Sequence, residues 1–306
     1  MTEHEHAASV GEDVELEAFR RLYPLEFLEK FLKDGVRPDG RPLGRARSTL
    51  ISVGSLPHAE GSAMVKLGNT TMLAGVKLEV MTPSVDFPDE GRIVVDFQMP
   101  AICSPHVRPG RQSELEPVVS EQIRNALSSS MMVDLRELNI APGKAAWMAY
   151  LDVYCLDSDG SLLDAALLAT AAALADLKLP EVAVTDDGKV LPASSDVQEH
   201  RSLKNIQSKR LKLGKIPMAL TCAVHPKYIL PDPTAEEEAI LKTTITVLTD
   251  FSGQLFSLYK PGGEVLASTS TVQDCFALAK YRGKELQKIF NNAVIDAEAD
   301  DAMVED

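Results

Sequence analysis

The chain has 306 residues, 45% of them hydrophobic, enough for one large or two medium domains with real cores. The net charge of −14 is concentrated at the ends: residues 1–18 and 296–306 hold six acids each and no Lys or Arg, and the remainder has 33 acids against 31 bases. That near-neutral body excludes a free-standing nucleic-acid binder with a strong positive excess, and no apolar run or leader of the usual kind suggests a membrane span or secretion.

Residues 1–18 and 294–306 read as disordered acidic tails, with little to bury and strong self-repulsion. After the first tail, Tyr23, Phe27, Leu28, Phe31 and Leu32 fall on one helical face, with Pro24 in the first turn and Gly35 at the end. Such an amphipathic arm docks on its own domain or on a neighbour. Arg37 to Arg41, RPDGR, is turn chemistry, and a strand follows near Thr49 to Val53. Two alternating segments flank Gly68-Asn69, which predicts a hairpin between Gly61 and Val80.

Residues 81–112, rich in Pro and Gly, read as a long loop with one strand near Ile93 to Phe97. A helix from about Glu114 to Met132 carries Leu115, Val118, Val119, Ile123, Ala126 and Leu127 on one face. A buried strand (Leu151, Val153, Cys155), a tight acidic turn (Asp157 to Gly160) and an Ala/Leu helix come next. That helix is apolar almost all round, so it must lie inside the protein, covered by sheet.

Residues 183–215 are a polar connector with a basic cluster of Lys204, Lys209, Arg210, Lys212 and Lys215. Strands are predicted over Met218 to His225, Tyr228 to Leu230, Thr243 to Thr249 and Leu255 to Leu258, closed by a helix from Val272 to Asn292. Strands then helices, twice over, indicate an α+β protein of two halves, 19–182 and 216–293. Cys103, Cys155, Cys222 and Cys275 form no C-x-x-C pair and read as reduced core thiols of an intracellular protein. His58, His106, His200 and His225 show no ligand spacing.

RPDGR, the GSAMVKLGNTT hairpin, LDVYCLDSDGSLLDAA and DPTAEEE (Asp232 to Glu238), in that order and spacing, resemble the RNase PH family over roughly Pro24 to Asn292. The likeness is to the RNase PH-like ring subunits of the RNA exosome. It implies two subdomains of mixed sheet packed with helices, the first like ribosomal protein S5 domain 2. Active members are phosphate-dependent 3′–5′ exoribonucleases.

The resemblance also lets each catalytic requirement be checked. Active members carry Asp-Gly-Gly-Thr-Arg after the central strand, and the Arg holds the phosphate. Here the run is Asp159-Gly160-Ser161-Leu162-Leu163, and a Leu cannot bind phosphate. Asp157 and Asp159 then read as a turn, with Asp159 as the helix N-cap. Of two catalytic Asp positions six apart, one is occupied by Glu238 and the other by Thr244. Glu238, within an EEE run, reads as part of a solvated face. Helix positions that carry RNA-contacting Arg in a related archaeal subunit fall on Glu121, Asn125 and Ser128, with Arg124 beside them. Arg108, Arg111 and Arg124 remain as candidate RNA contacts.

The expectation is therefore a structural ring subunit with no catalytic, cofactor or metal residues. Its implied partners are other RNase PH-like ring subunits, S1/KH cap subunits, a hydrolytic exosome nuclease and RNA threaded through the ring, with no membrane. The implied location is nucleus, nucleolus and cytoplasm. Two other readings are an active phosphorolytic exoribonuclease and an RNA-binding module using Lys204 to Lys215.

Overall fold

A computed structural model describes residues 16–105, 107–180, 182–184, 190–192 and 209–304. Most of the expected N-terminal tail and of the connector, including Lys204, and also His106 and His200, lie outside these residues.

The arm is helix α1 (Pro24–Lys33). It buries Leu28 and Leu32 against Ala223, Leu230 and Leu241 of the second half, so it docks on its own chain. Its other side is an aromatic ridge in which Phe27 stacks tilted on both Phe19 and Phe31.

The first sheet is built from β1 (Thr49–Val53), β2 (Gly61–Leu67), β3 (Thr70–Met81), β4 (Arg92–Gln98), β5 (Asn139–Ala141) and β6 (Ala145–Asp157). Its order is β1-β2-β3-β6-β4, with β5 also on β6; β4 runs parallel to β6 and the other pairs are antiparallel. The β2–β3 hairpin turns on Gly68-Asn69 as expected, with Leu67 opposite Thr70 and Gly68 at φ +59°. Positive φ at the first turn residue suits glycine, which has no Cβ to clash. Period-two patterning holds through β6, where Trp147, Ala149, Leu151, Val153 and Cys155 all face the core.

Helix α2 (Leu115–Ser130) covers the inner side of β4. Helix α3 (Leu162–Asp176) is the centre of the molecule. It packs on β2 and β3 on one side and on β11 (Pro217–Val224) of the second half on the other. Residues Leu163 to Leu174 are all buried. Being clamped between two sheets is why this helix has no polar stripe.

The second sheet adds β12 (Ile229–Pro231), β13 (Thr244–Asp250) and β14 (Leu255–Tyr259) in the order β12-β11-β13-β14, all antiparallel. A short helix, α4 (Ala235–Leu241), which the sequence reading did not place, lies between β12 and β13. Helix α5 (Thr269–Val304) crosses β13 and reaches β1. It was expected to stop near Asn292, ahead of an acidic tail, but it continues for another three turns. The stretch from Ala293 has no Gly or Pro, Val294 packs on the core, and Glu298 pairs with Arg210. No helix among the described residues is long and apolar enough to cross a membrane. The four cysteines are all buried and unbridged.

Candidate functional site

The motif segments converge where the two halves meet, at the mouth of α3. Asp159 and Gly160 close the turn from β6. Opposite them, Pro231 to Thr234 lead from β12 into α4. Here the structure places the arginines of RPDGR, whose Pro-Asp-Gly core indicates a turn.

Arg37 is fully buried. Its guanidinium makes a forked pair with the Glu237 carboxylate, with Nε 2.8 Å from Oε1 and Nη2 on Oε2, and it donates to the carbonyls of Pro231 at 2.7 Å and Asp232 at 3.1 Å. Arg41 bonds Asp39 at 2.5 Å and reaches the Asp232 carbonyl. Arg47 forks onto Asp232, with Nε 3.0 Å from Oδ2 and Nη2 2.6 Å from Oδ1, and its backbone N–H adds a third bond at 2.7 Å. It also donates to the Asp159 carbonyl at 2.6 Å. Burial alone would raise the Asp232 carboxyl, but the bonds and charge of Arg47, helped by Arg41, outweigh it and hold it below the ordinary carboxylate range. Arg282, from α5, donates to the Arg47 carbonyl at 2.8 Å and to Thr49 Oγ1 at 2.5 Å. These arginines join the arm, both sheets and the long helix through a set of carboxylates and carbonyls.

Two expectations are corrected here. The EEE run is not a solvated face: Glu237 is buried against Arg37, and Glu238 is half-buried. Asp159 does not cap α3. Its carboxylate instead accepts the backbone N–H of Ala235, the first residue of α4, at 3.2 Å, and the Asn69 amide at 3.2 Å. The residue that precedes α3 is Ser161, at φ +50°, whose hydroxyl donates to the Pro233 carbonyl at 3.1 Å.

The α3 N-terminus is served instead by Glu238. Its Oε1 accepts the Ser161 N–H at 2.8 Å. A helix N-terminus attracts anions because its first N–H groups point outward and its dipole end is positive. In this chain one of its own carboxylates occupies that place. Burial pushes the Glu238 carboxyl up against the bond from Ser161 and the Arg47 charge, and the Asp232 and Asp159 charges add to the rise. Leu163 points into the core at 7% exposure. Thr244 opens β13 and pairs with Ala223 across the sheet.

Sequence reasoning missed Asp164, although a lone acid in the run Leu162 to Ala173 was the available signal. It is buried between α3 and β11, where Oδ2 accepts the Thr221 N–H at 2.7 Å and Oδ1 the Thr221 hydroxyl at 2.8 Å. Burial drives its carboxyl up to about 7, against the bonds from Thr221. An unfolded Asp titrates near 3.9, so between these values the folded chain binds more protons than the unfolded one. Its contribution to stability is full below about pH 4 and is lost as pH rises through 7. Asp232, with a depressed pKa, acts in the opposite sense and at lower pH. The urea midpoint of Asp164→Asn should therefore vary less than that of the parent between about pH 5 and 8. Parallel profiles for the two proteins would assign the slope to another group.

The candidate RNA contacts do not form one patch. Arg108 and Arg111 are exposed and share a shallow cleft of about 240 Å³ with Gln112, Ser113 and Glu114. Arg124 lies far along α2, outside that cleft, paired with Glu121. A larger cleft of about 580 Å³ beside the arginine network is lined by Phe27, Ile240, Asp39, Asn69, Asp157 and Glu236 among others. Its carboxylates make it a poor place for an RNA backbone.

Residues 45–180 match the 3′ exoribonuclease family, domain 1 (RNase PH), and residues 215–282 match domain 2 of the same family. The exosome complex component Rrp42 of Methanopyrus kandleri is 32% identical over 84% of this chain and 91% of its own length. The exosome complex component rrp43 of Schizosaccharomyces pombe is 31% identical over 80% of this chain and 87% of its own. A chain from the solved Archaeoglobus fulgidus exosome with RNA bound to the active site superposes with a TM-score of 0.74 at 29% identity, covering 90% of this chain and 99% of that one.

Proposed function

The chain belongs to the RNase PH family of 3′ exoribonucleases, and from that premise we propose that it is a non-catalytic subunit of an RNA exosome ring. It would support 3′–5′ processing and degradation of RNA, including rRNA maturation, RNA surveillance and mRNA turnover, in the nucleus, nucleolus and cytoplasm. Its partners on this reading are other RNase PH-like ring subunits, S1/KH cap subunits, a hydrolytic nuclease and the RNA that passes through the ring.

The observation that carries the non-catalytic part is the occupant of the α3 N-terminus. Phosphorolysis requires an inorganic phosphate to be bound and neutralised next to the scissile bond. Here Glu238 accepts the Ser161 N–H, and Leu163, where active members have an arginine, is buried in the core. A phosphate entering that place would meet the Glu238 carboxylate, and Arg47 beside it is already forked onto Asp232. Thr244 offers a hydroxyl where active members have a second carboxylate, which leaves a poor set for a divalent metal. Among the described residues no group of three or more His, Cys, Asp or Glu is placed to hold a metal ion.

The test is direct. The purified chain, given phosphate, magnesium and single-stranded RNA, should release no nucleoside diphosphates. Robust release that disappears in Glu238→Ala would establish an active phosphorolytic exoribonuclease instead.

A further inference from the structure

The first sheet has two faces, and the helices α2 and α3 lie on one of them. The strand registers fix what stands on the other. One row across it reads Ser52, Met64, Leu73, Tyr154 and Gln98. The row two residues along is Ser62, Gly75, Asp152 and Asp96, and the next is Lys77, Tyr150 and Val94. Apolar and aromatic side chains therefore surround two carboxylates that are register partners on adjacent parallel strands, about 4.8 Å apart along the pairing direction. The face is open at β6 and at its β1 edge, where Met64 is 39% exposed, Tyr154 37% and Leu50 68%, while Leu56 of the β1–β2 loop closes it over Gly75 and the buried Ser62.

This arrangement is unfavourable in the isolated chain. Like charges directly opposite on neighbouring strands destabilise a sheet. Burial and then the Asp96 charge raise the Asp152 carboxyl, with Lys77 alone opposing. Lys77 is itself drawn to Glu79 on its own strand, at 3.5 Å. Gln98 donates to Asp96 at 2.7 Å but brings no charge. Exposed Met64 and Tyr154 beside this unrelieved pair of carboxylates mark the uncovered part of the face as an interaction surface.

We propose that the outer face of the first sheet is a docking surface for another protein subunit, which lays apolar side chains over Met64, Leu73 and Tyr154 and inserts an arginine between Asp96 and Asp152. Arginine fits better than lysine for two reasons. Its planar fork can take one carboxylate on each arm, and its face can stack on the flanking rings of Tyr150 and Tyr154. An RNA backbone is excluded as occupant by the two carboxylates at the centre. The chain's own N-terminal acids would be repelled in the same way. The proposal does not depend on the ring reading, because it specifies the chemistry of the partner and not its fold.

The experiment compares hydroxyl-radical footprints of the full-length chain, isolated and in the stoichiometric assembly purified with its native partners. Tyr150 and Tyr154 should be modified readily in the isolated chain and at least five-fold less in the assembly. Asp152→Asn should melt no lower than the parent when isolated, since a repulsion is removed, yet should bind its partners at least ten-fold more weakly. A merely structural Asp152 would not divide the two readouts in this way. Equal footprints in both states, protection already present in the isolated chain, protection produced by RNA alone, or a chain that remains monomeric would each overturn the proposal. If the protecting subunit lacks the RNase PH fold, the docking surface stands and the ring reading falls. If RNase PH-like subunits assemble with the face still open, the ring reading stands and the docking surface falls.

Discussion

Gly160→Val is expected to be one of the two most damaging single substitutions in the chain, at roughly 2–5 kcal/mol, the sum of a strained backbone and an overpacked contact. Gly160 has φ +76°, a region that a β-branched residue adopts at a cost. Space is the larger obstacle. A Cβ built there would lie 2.5 Å from the Pro233 carbonyl oxygen, 2.7 Å from the Thr234 carbonyl carbon and 2.8 Å from the Ala235 nitrogen. All three are backbone atoms of the second half, so no side chain can rotate away. Relief would require the two halves to separate at the point where Ser161 and Asp159 bond across. Gly160→Ala should already cost about 2 kcal/mol or more, and Asp159→Asn much less, since an amide oxygen can still accept from Ala235. Urea unfolding of the three variants checks the order. A Gly160→Val protein as stable as the parent would mean that the halves are not in close contact at this turn.

Much of this architecture was legible because it is local. Alternation marked β2, β3 and β6, Gly68-Asn69 marked the hairpin, and the featureless apolar surface of α3 required a cover of sheet. Helix α4 was missed although its signal was present. Thr234-x-x-Glu237 is a capping box, in which Thr234 Oγ1 accepts the Glu237 N–H and the Glu237 carboxylate accepts the Thr234 N–H. Reading the three glutamates as one charged run hid the fact that a short helix turns them in different directions. Glu236 faces outward toward Arg20, Glu237 inward to Arg37 and Glu238 to the α3 N-terminus. The arginine network was not legible at all. Arg37 and Glu237 are 200 residues apart, and nothing in either neighbourhood says which acid a given arginine meets. Asp159 failed for the same reason. Its position before an apolar helix fits an N-cap, but the N–H that it accepts belongs to another helix, brought alongside only by the fold.

The Arg37–Glu237 pair provides the second large effect. With exposures of 0% and 3%, neither group can turn to water when its partner is removed. Arg37→Met should cost about 3–5 kcal/mol, because it strands a buried carboxylate and leaves the Pro231 and Asp232 carbonyls without a donor. Glu237→Leu should cost a similar amount, to which the lost capping box adds about 1 kcal/mol. The double variant should not cost the sum of the two. Once both charges are gone there is no stranded ion, and the shortfall from additivity should reach roughly 2–3 kcal/mol. Arg37→Lys is expected to fall near Arg37→Met, since an ammonium cannot reproduce two parallel bonds to the carboxylate and two more to the carbonyls. A double-mutant cycle by chemical denaturation measures the coupling. Strict additivity would show that the pair contributes nothing as a pair and that RPDGR acts only as a turn. Coupling of the expected size would make its first arginine the pin between the N-terminal arm and the second half. The arm's own apolar contacts are few, with Leu28 and Leu32 its fully buried anchors, so loss of the pin should free the arm before the sheets unfold.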